Sequence, residues 1–347
     1  TTDFFFLRSA QNSPAMTITG GISYTKAGSA TPAITTGPGA WSAGGDVTLS
    51  NGTFTTSTGN VVTLNGTVQQ TVTTNTQTFI GLTLNNTGTD GTANDDIVIS
   101  GNLDVNGTLT ITDGQLRLDT SNPNVTTAGA VSIGANGSIT RGTGTWTFDG
   151  TTAATYTDSS SAVQNLGLVT FNKTDTVAPA TNNKITLASS MTTDTVTIDG
   201  TGGQADTLDL GTSGYTLTLA NAGATATVLT INGTLTIGTS TIKYTATNSG
   251  GNITVNALSY SSLNLGPGSA ETYDIAANQS TSGTVTVDTN ATMSIATSVT
   301  FTHSGSTLTL NGTISGAGTY TYQSSTAFPA TGTISSLLRF DATNNSQ

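Results

Sequence analysis

The chain has 347 residues, a formal net charge of -11 at neutral pH, and 8% charged residues where an average soluble domain has roughly 25%. It has no cysteine, one histidine (His303), one glutamate (Glu271) and eight lysines plus arginines. Disulfide and thiol chemistry are therefore excluded, the usual acid–base residues are scarce, and no basic stripe is available to neutralise phosphates.

Apolar residues make up 34% of the chain, yet they fall in short alternating runs that a disordered chain would lack. The expectation is a folded protein with a slim core and a surface of hydroxyls, amides and aspartates. No stretch approaches the ~20 apolar residues of a membrane span, so neither membrane insertion nor nucleic acid is expected. The opening Thr1-Thr2-Asp3 does not resemble the start of a signal peptide, and a secreted chain would have had its signal removed.

In chain order, residues 1–45 stand apart: Phe4-Phe5-Phe6-Leu7 is followed by a Gly/Ala/Pro-bearing stretch through Pro32, Pro38 and Trp41. From 46 to 335 one pattern recurs, an apolar-polar-apolar triplet followed by a polar turn. Leu82 to Leu84, Leu103 to Val105, Leu109 to Ile111, Val131 to Ile133 and Trp146 to Phe148 are early examples. Later ones are Leu217 to Leu219, Leu229 to Ile231, Leu235 to Ile237, Leu263 to Leu265, Val285 to Val287 and Leu308 to Leu310. Threonine dominates the intervening positions, where β-branching favours extended backbone. Residues 336–347 carry Leu337-Leu338-Arg339-Phe340 and a polar tail.

No segment keeps a helical apolar spacing over two turns, so the chain reads as all-β, built of short strands. The turns Asn65-Gly66-Thr67, Asn106-Gly107-Thr108, Asn232-Gly233-Thr234 and Asn311-Gly312-Thr313 are nearly identical, and Asn136-Gly137-Ser138 is close to them. Asn-Gly tolerates positive φ and supports two architectures. Each unit is either the corner of a parallel β-solenoid, a right-handed β-helix whose stacked coils bury one another's apolar positions, or the tip of a hairpin in tandem antiparallel β-sandwiches. Short strands, little variation and no linker favour the solenoid.

The runs LTLNNTGTDGTANDDIVISGNLDVNGTLTITDGQLRLDT and GSITRGTGTWTFDGTTAATYTDSSSAVQNLGLVTFNKT resemble the repeats of large bacterial or archaeal surface proteins of adhesin-like and autotransporter-passenger-like type. The resemblance covers roughly residues 46–320, is one of style and spacing, and carries no catalytic or ligand motif. It implies a β-helix and a cell-surface location.

Chemistry-bearing residues are few. Eighteen aspartates lie mostly in turns, where Asp bonds its own backbone, and the basic residues are too dispersed for a polysaccharide-cleaving face, so no enzyme is expected. Asp90, Asp95 and Asp96 on one loop are the candidate ligands for Ca²⁺, because hard cations take oxygen ligands, and no other cofactor is expected. Without a second His or Cys, His303 reads as a surface or hydrogen-bonded residue. Asn51, Asn65, Asn106, Asn232 and Asn311 head Asn-x-Ser/Thr sequons and are candidate glycan acceptors.

The functional expectation is a self-assembling structural subunit of an extracellular filament, sheath or surface layer. Its partner is a copy of itself, joined head to tail through Phe4, Phe5, Phe6 and Leu7, a segment that reads equally well as an end cap. The alternatives are an adhesin binding surface glycans and, more weakly, a polysaccharide-active β-helix enzyme.

Overall fold

Every described strand pairing is parallel, as in Leu109 beside Val131 and Leu263 beside Val285, and that excludes hairpin sandwiches. The protein is a parallel β-solenoid with almost no helix. The structure, a computed structural model, describes residues 15–25, 33–50, 53–55, 57–176, 182–200, 205–266, 269–305, 307–329 and 331–341. The expected assembly residues Phe4, Phe5, Phe6 and Leu7 and the sequon at Asn51 lie outside them. The chain divides into two units, Thr1–Ser189 with Asp199–Thr207, and Ser190–Ile198 with Leu208–Gln347.

In the first unit each coil carries three short runs of strand. One row stacks Val62, Leu82, Leu109, Val131 and Tyr156 in register, all buried. A second row stacks Gln70, Ile97, Leu116 and Ile139, and a third stacks Leu103, Val125, Trp146 and Val169. Side chains alternate across a strand, so each triplet sends its two apolar residues inward and its central threonine outward. The strand Leu109–Arg117 turns a corner without breaking: its register shifts between Ile111 and Asp113, and Gly114 takes φ +87°. A bulge with glycine in the left-handed region bends a strand in this way.

The second unit has the same three-sided plan. Its inward columns are Leu217, Ile242, Leu263, Val285 and Leu308 on one side, and Ile253, Tyr273, Met293, Ile314 and Ile334 on the next. The third is Gln279, Phe301, Tyr320 and Leu338. Phe301 and Tyr320 stack with ring centroids 5.6 Å apart, a ladder that parallel in-register strands impose on like residues. Two expected triplets are less buried than the rest. Ile231, Leu235 and Ile237 are only half-buried, and Leu229–Ile231 and Thr234–Thr236 are the last described strands of their sheets.

Between the strands, asparagine side chains continue the ladder. Asn102 Oδ1 accepts the Asn124 N–H at 3.0 Å, 22 residues on, and Asn124 Oδ1 accepts the Thr145 N–H at 2.9 Å. In the second unit Asn278 Oδ1 accepts the Thr300 N–H at 2.8 Å. At these three corners an asparagine of the neighbouring coil satisfies an amide that sheet pairing leaves open, which accounts for asparagine in such turns.

The Asn-Gly units are corners, but not for the reason expected. None of Asn65, Asn106, Asn232 and Asn311, nor the glycine after each, has positive φ. At Gly107 and Gly312 glycine is needed instead because the neighbouring coil passes too close. A Cβ on Gly107 would stand 2.1 Å from the Ile80 carbonyl oxygen, and one on Gly312 2.3 Å from that of Ala291.

Candidate functional site

The loop carrying Asp90, Asp95 and Asp96 holds one turn of 3-10 helix, Ala93–Asp95, with the Thr92 hydroxyl accepting the Asn94 N–H. Asp90 is exposed, whereas Asp95 and Asp96 are buried. Asp95 Oδ2 accepts the Gly91 N–H at 3.3 Å. Asp96 Oδ2 receives Arg117 Nη1 at 2.9 Å and Gln69 Nε2 at 3.3 Å. The other prongs of the Arg117 fork reach Asp119 at 3.1 and 2.8 Å, and this hydrogen bonding holds the Asp119 carboxyl below its usual range. Among the described residues no three His, Cys, Asp or Glu side chains come together so as to hold a metal ion. The partner of Asp96 is an arginine 21 residues away in sequence, brought beside it by coil stacking.

The sequons at Asn65, Asn106, Asn232 and Asn311 all present exposed asparagines at corners. Two shallow polar grooves open on the second unit. One, of about 270 Å³, is lined by Asn248, Asn252, Glu271, Thr272, Asn290 and Thr292. The other, of about 400 Å³, is lined by Ser259, Asn278, Ser280, Thr300 and Thr302 among others. The carboxylate of Glu271 is occupied with backbone, accepting the Asn248 N–H at 2.6 Å and its neighbour Thr272 N–H at 2.9 Å.

Of two buried polar clusters, the one around Lys173 went unread in the sequence, and the one around His303 was read only as a surface or hydrogen-bonded histidine. In the first unit Lys173, 2% exposed, runs back along the stack and donates its ammonium to the carbonyls of Asp149 and Ala128, the latter at 3.0 Å and 45 residues earlier. Burial lowers its pKa to about 8, against the pull of Asp149 and Asp206. Asp206 is fully buried, and among the described residues neither of its carboxylate oxygens has a hydrogen-bond partner. Burial raises its pKa to about 6. In the second unit His303 is fully buried, hydrogen-bonded to the Gly283 carbonyl and to Tyr320. Alternation from buried Phe301 is the signal in the sequence that would have placed His303 inward.

The strand Leu337–Phe340 is the last described strand of its sheet. It pairs on one side with Thr319–Tyr322 and has no described strand on the other. Leu337 is 66% and Phe340 50% exposed, and Phe340 rests edge-on against Tyr322 and Phe328. Compared with protein-family models, curated proteins and solved structures, the chain matches none.

Proposed function

We propose that the protein is a structural subunit of an extracellular filament, sheath or surface layer of a prokaryote, assembled from copies of itself. The observation that supports this is the outer edge of Leu337–Phe340, where a parallel strand with no described partner on that side and two exposed apolar side chains lie together. Alternate N–H and C=O groups of such an edge lack partners and template an added strand. The segment offered to that edge is Phe4 to Leu7 of a second copy. Burying a few side chains of this size is worth ~1.5–3 kcal/mol each, enough in scale to hold subunits together. A head-to-tail contact is heterologous and propagates unless its rotation closes a ring.

Negative-stain microscopy and sedimentation of the purified chain test the reading, with Leu337→Asp and a deletion of residues 1–12 as comparisons. Regular filaments or lattices that both changes abolish are expected. A monodisperse particle at every concentration would overturn the reading. The second reading, an adhesin, is favoured by the two hydroxyl- and amide-lined grooves, whose groups suit the hydroxyls of a neutral glycan.

A further inference from the structure

Four corners of the described fold share the tripeptide Asn-Gly-Thr, at Asn65, Asn106, Asn232 and Asn311. In an Asn-Gly pair the glycine nitrogen, once deprotonated, attacks the asparagine Cγ. A C–N bond forms, the bond to the side-chain nitrogen breaks, and ammonia leaves. Water then opens the resulting five-membered succinimide to aspartate or isoaspartate. The flanking chemistry being the same at all four corners, the fold decides which of them reacts.

The decisive atom is the glycine nitrogen. Gly66 donates its N–H to Gln70 Oε1 at 2.9 Å, Gly233 to the Ile198 carbonyl at 3.2 Å and Gly312 to the Val287 carbonyl at 3.0 Å. At the remaining corner the Asn106 N–H goes to the Phe79 carbonyl at 2.7 Å, while the Gly107 N–H has no acceptor among the described residues. Asn106 is exposed, and its side-chain amide has no hydrogen-bond partner there either. Both reacting groups are therefore free at this corner alone of the four.

We infer that Asn106 is a site of spontaneous covalent modification in the folded chain, deamidating through Gly107 ahead of the three other Asn-Gly-Thr corners. The consequence is local and structural. Isoaspartate inserts a methylene into the main chain where Gly107 already runs so close to the Ile80 carbonyl that no Cβ fits, and it removes the sequon at Asn106. A glycan on Asn106 and deamidation of Asn106 exclude one another, because both use the same side-chain nitrogen.

The test is peptide mapping by mass spectrometry of unglycosylated protein aged in mildly alkaline buffer, scoring the one-dalton gain and isoaspartate at each corner. Freeing a glycine N–H from one ordinary hydrogen bond before attack corresponds to about a fivefold rate difference, so Asn106 is expected to lead by that factor or more. In concentrated urea the four rates should converge, since the tripeptides are identical. Equal rates in the folded protein, or a lead by Asn65, Asn232 or Asn311, would overturn the inference. So would a lead by Asn106 that persists undiminished in urea, because the fold would then not be its cause.

Discussion

The Tyr320 hydroxyl lies 3.1 Å from His303 Nδ1 in the interior of the second unit, and the same imidazole places Nε2 3.0 Å from the Gly283 carbonyl. A carbonyl only accepts, so the ring proton sits on Nε2 and the tyrosine donates to Nδ1. The neutral tautomer satisfies both partners. A second proton would turn Nδ1 into a donor facing a hydroxyl that has lost its acceptor.

Burial lowers the His303 pKa below its ordinary 6.5, so the unfolded chain binds this proton more readily than the folded one. Stability is then fully present above pH ~6.5 and declines as pH falls below it. Thermal melting from pH 7.5 to 5 should show this decline in the wild type and a smaller one in His303→Gln. An identical pH profile for the two proteins would refute the assignment.

Lys173 predicts a trend of the same sign in a separate, alkaline window. Its ammonium is disfavoured by burial, with a folded pKa of about 8 against 10.5 when free. Between those values the unfolded chain holds more protons, so stability should rise from pH 8 towards 10. Chemical denaturation across that range should show the rise in the wild type and lose it in Lys173→Met.

Leu109 is fully buried between Leu82 and Val131, whereas Thr110 beside it points outward. Leu109→Asp leaves an unpaired charge in a slim core and should cost more than ~3 kcal/mol, while Thr110→Ser should stay within ~0.5 kcal/mol. Equal shifts in denaturation midpoint would overturn this assignment of the strand's faces.

At Gly312 a methyl would collide with the Ala291 carbonyl, but at Gly250 its nearest neighbour would be Asn248 Oδ1 at 3.5 Å. Gly312→Ala should therefore destabilise by ~1–3 kcal/mol, as overpacking does, and Gly250→Ala should be close to neutral. Differential scanning calorimetry of the two variants separates close approach from a general demand for glycine in turns.

Chelation provides a test of the acidic loop. Since Asp96 already takes the Arg117 guanidinium at 2.9 Å, EDTA is expected to leave the melting temperature unchanged, and Arg117→Met to lower it by exposing an unpaired buried carboxylate. A large loss with EDTA that Asp95→Asn with Asp96→Asn abolishes would instead establish Ca²⁺ at this loop.

The strands were legible in the chain itself. Residues such as Leu109 and Ile111, or Val285 and Val287, alternate with threonine at period two, and that period belongs to the extended backbone whatever it pairs with. The partner of each strand was not legible. Asn106-Gly107 suits a hairpin as well as a coil corner, and the parallel register of Leu109 with Val131 decided between them. Coil stacking also joined Arg117 to Asp96, carried Lys173 back to Ala128, and left the Gly107 N–H free while occupying that of Gly312. Local alternation records which face of a strand is apolar, whereas contacts about 22 residues apart depend on how many residues each corner consumes, and that count is settled only when the coils pack.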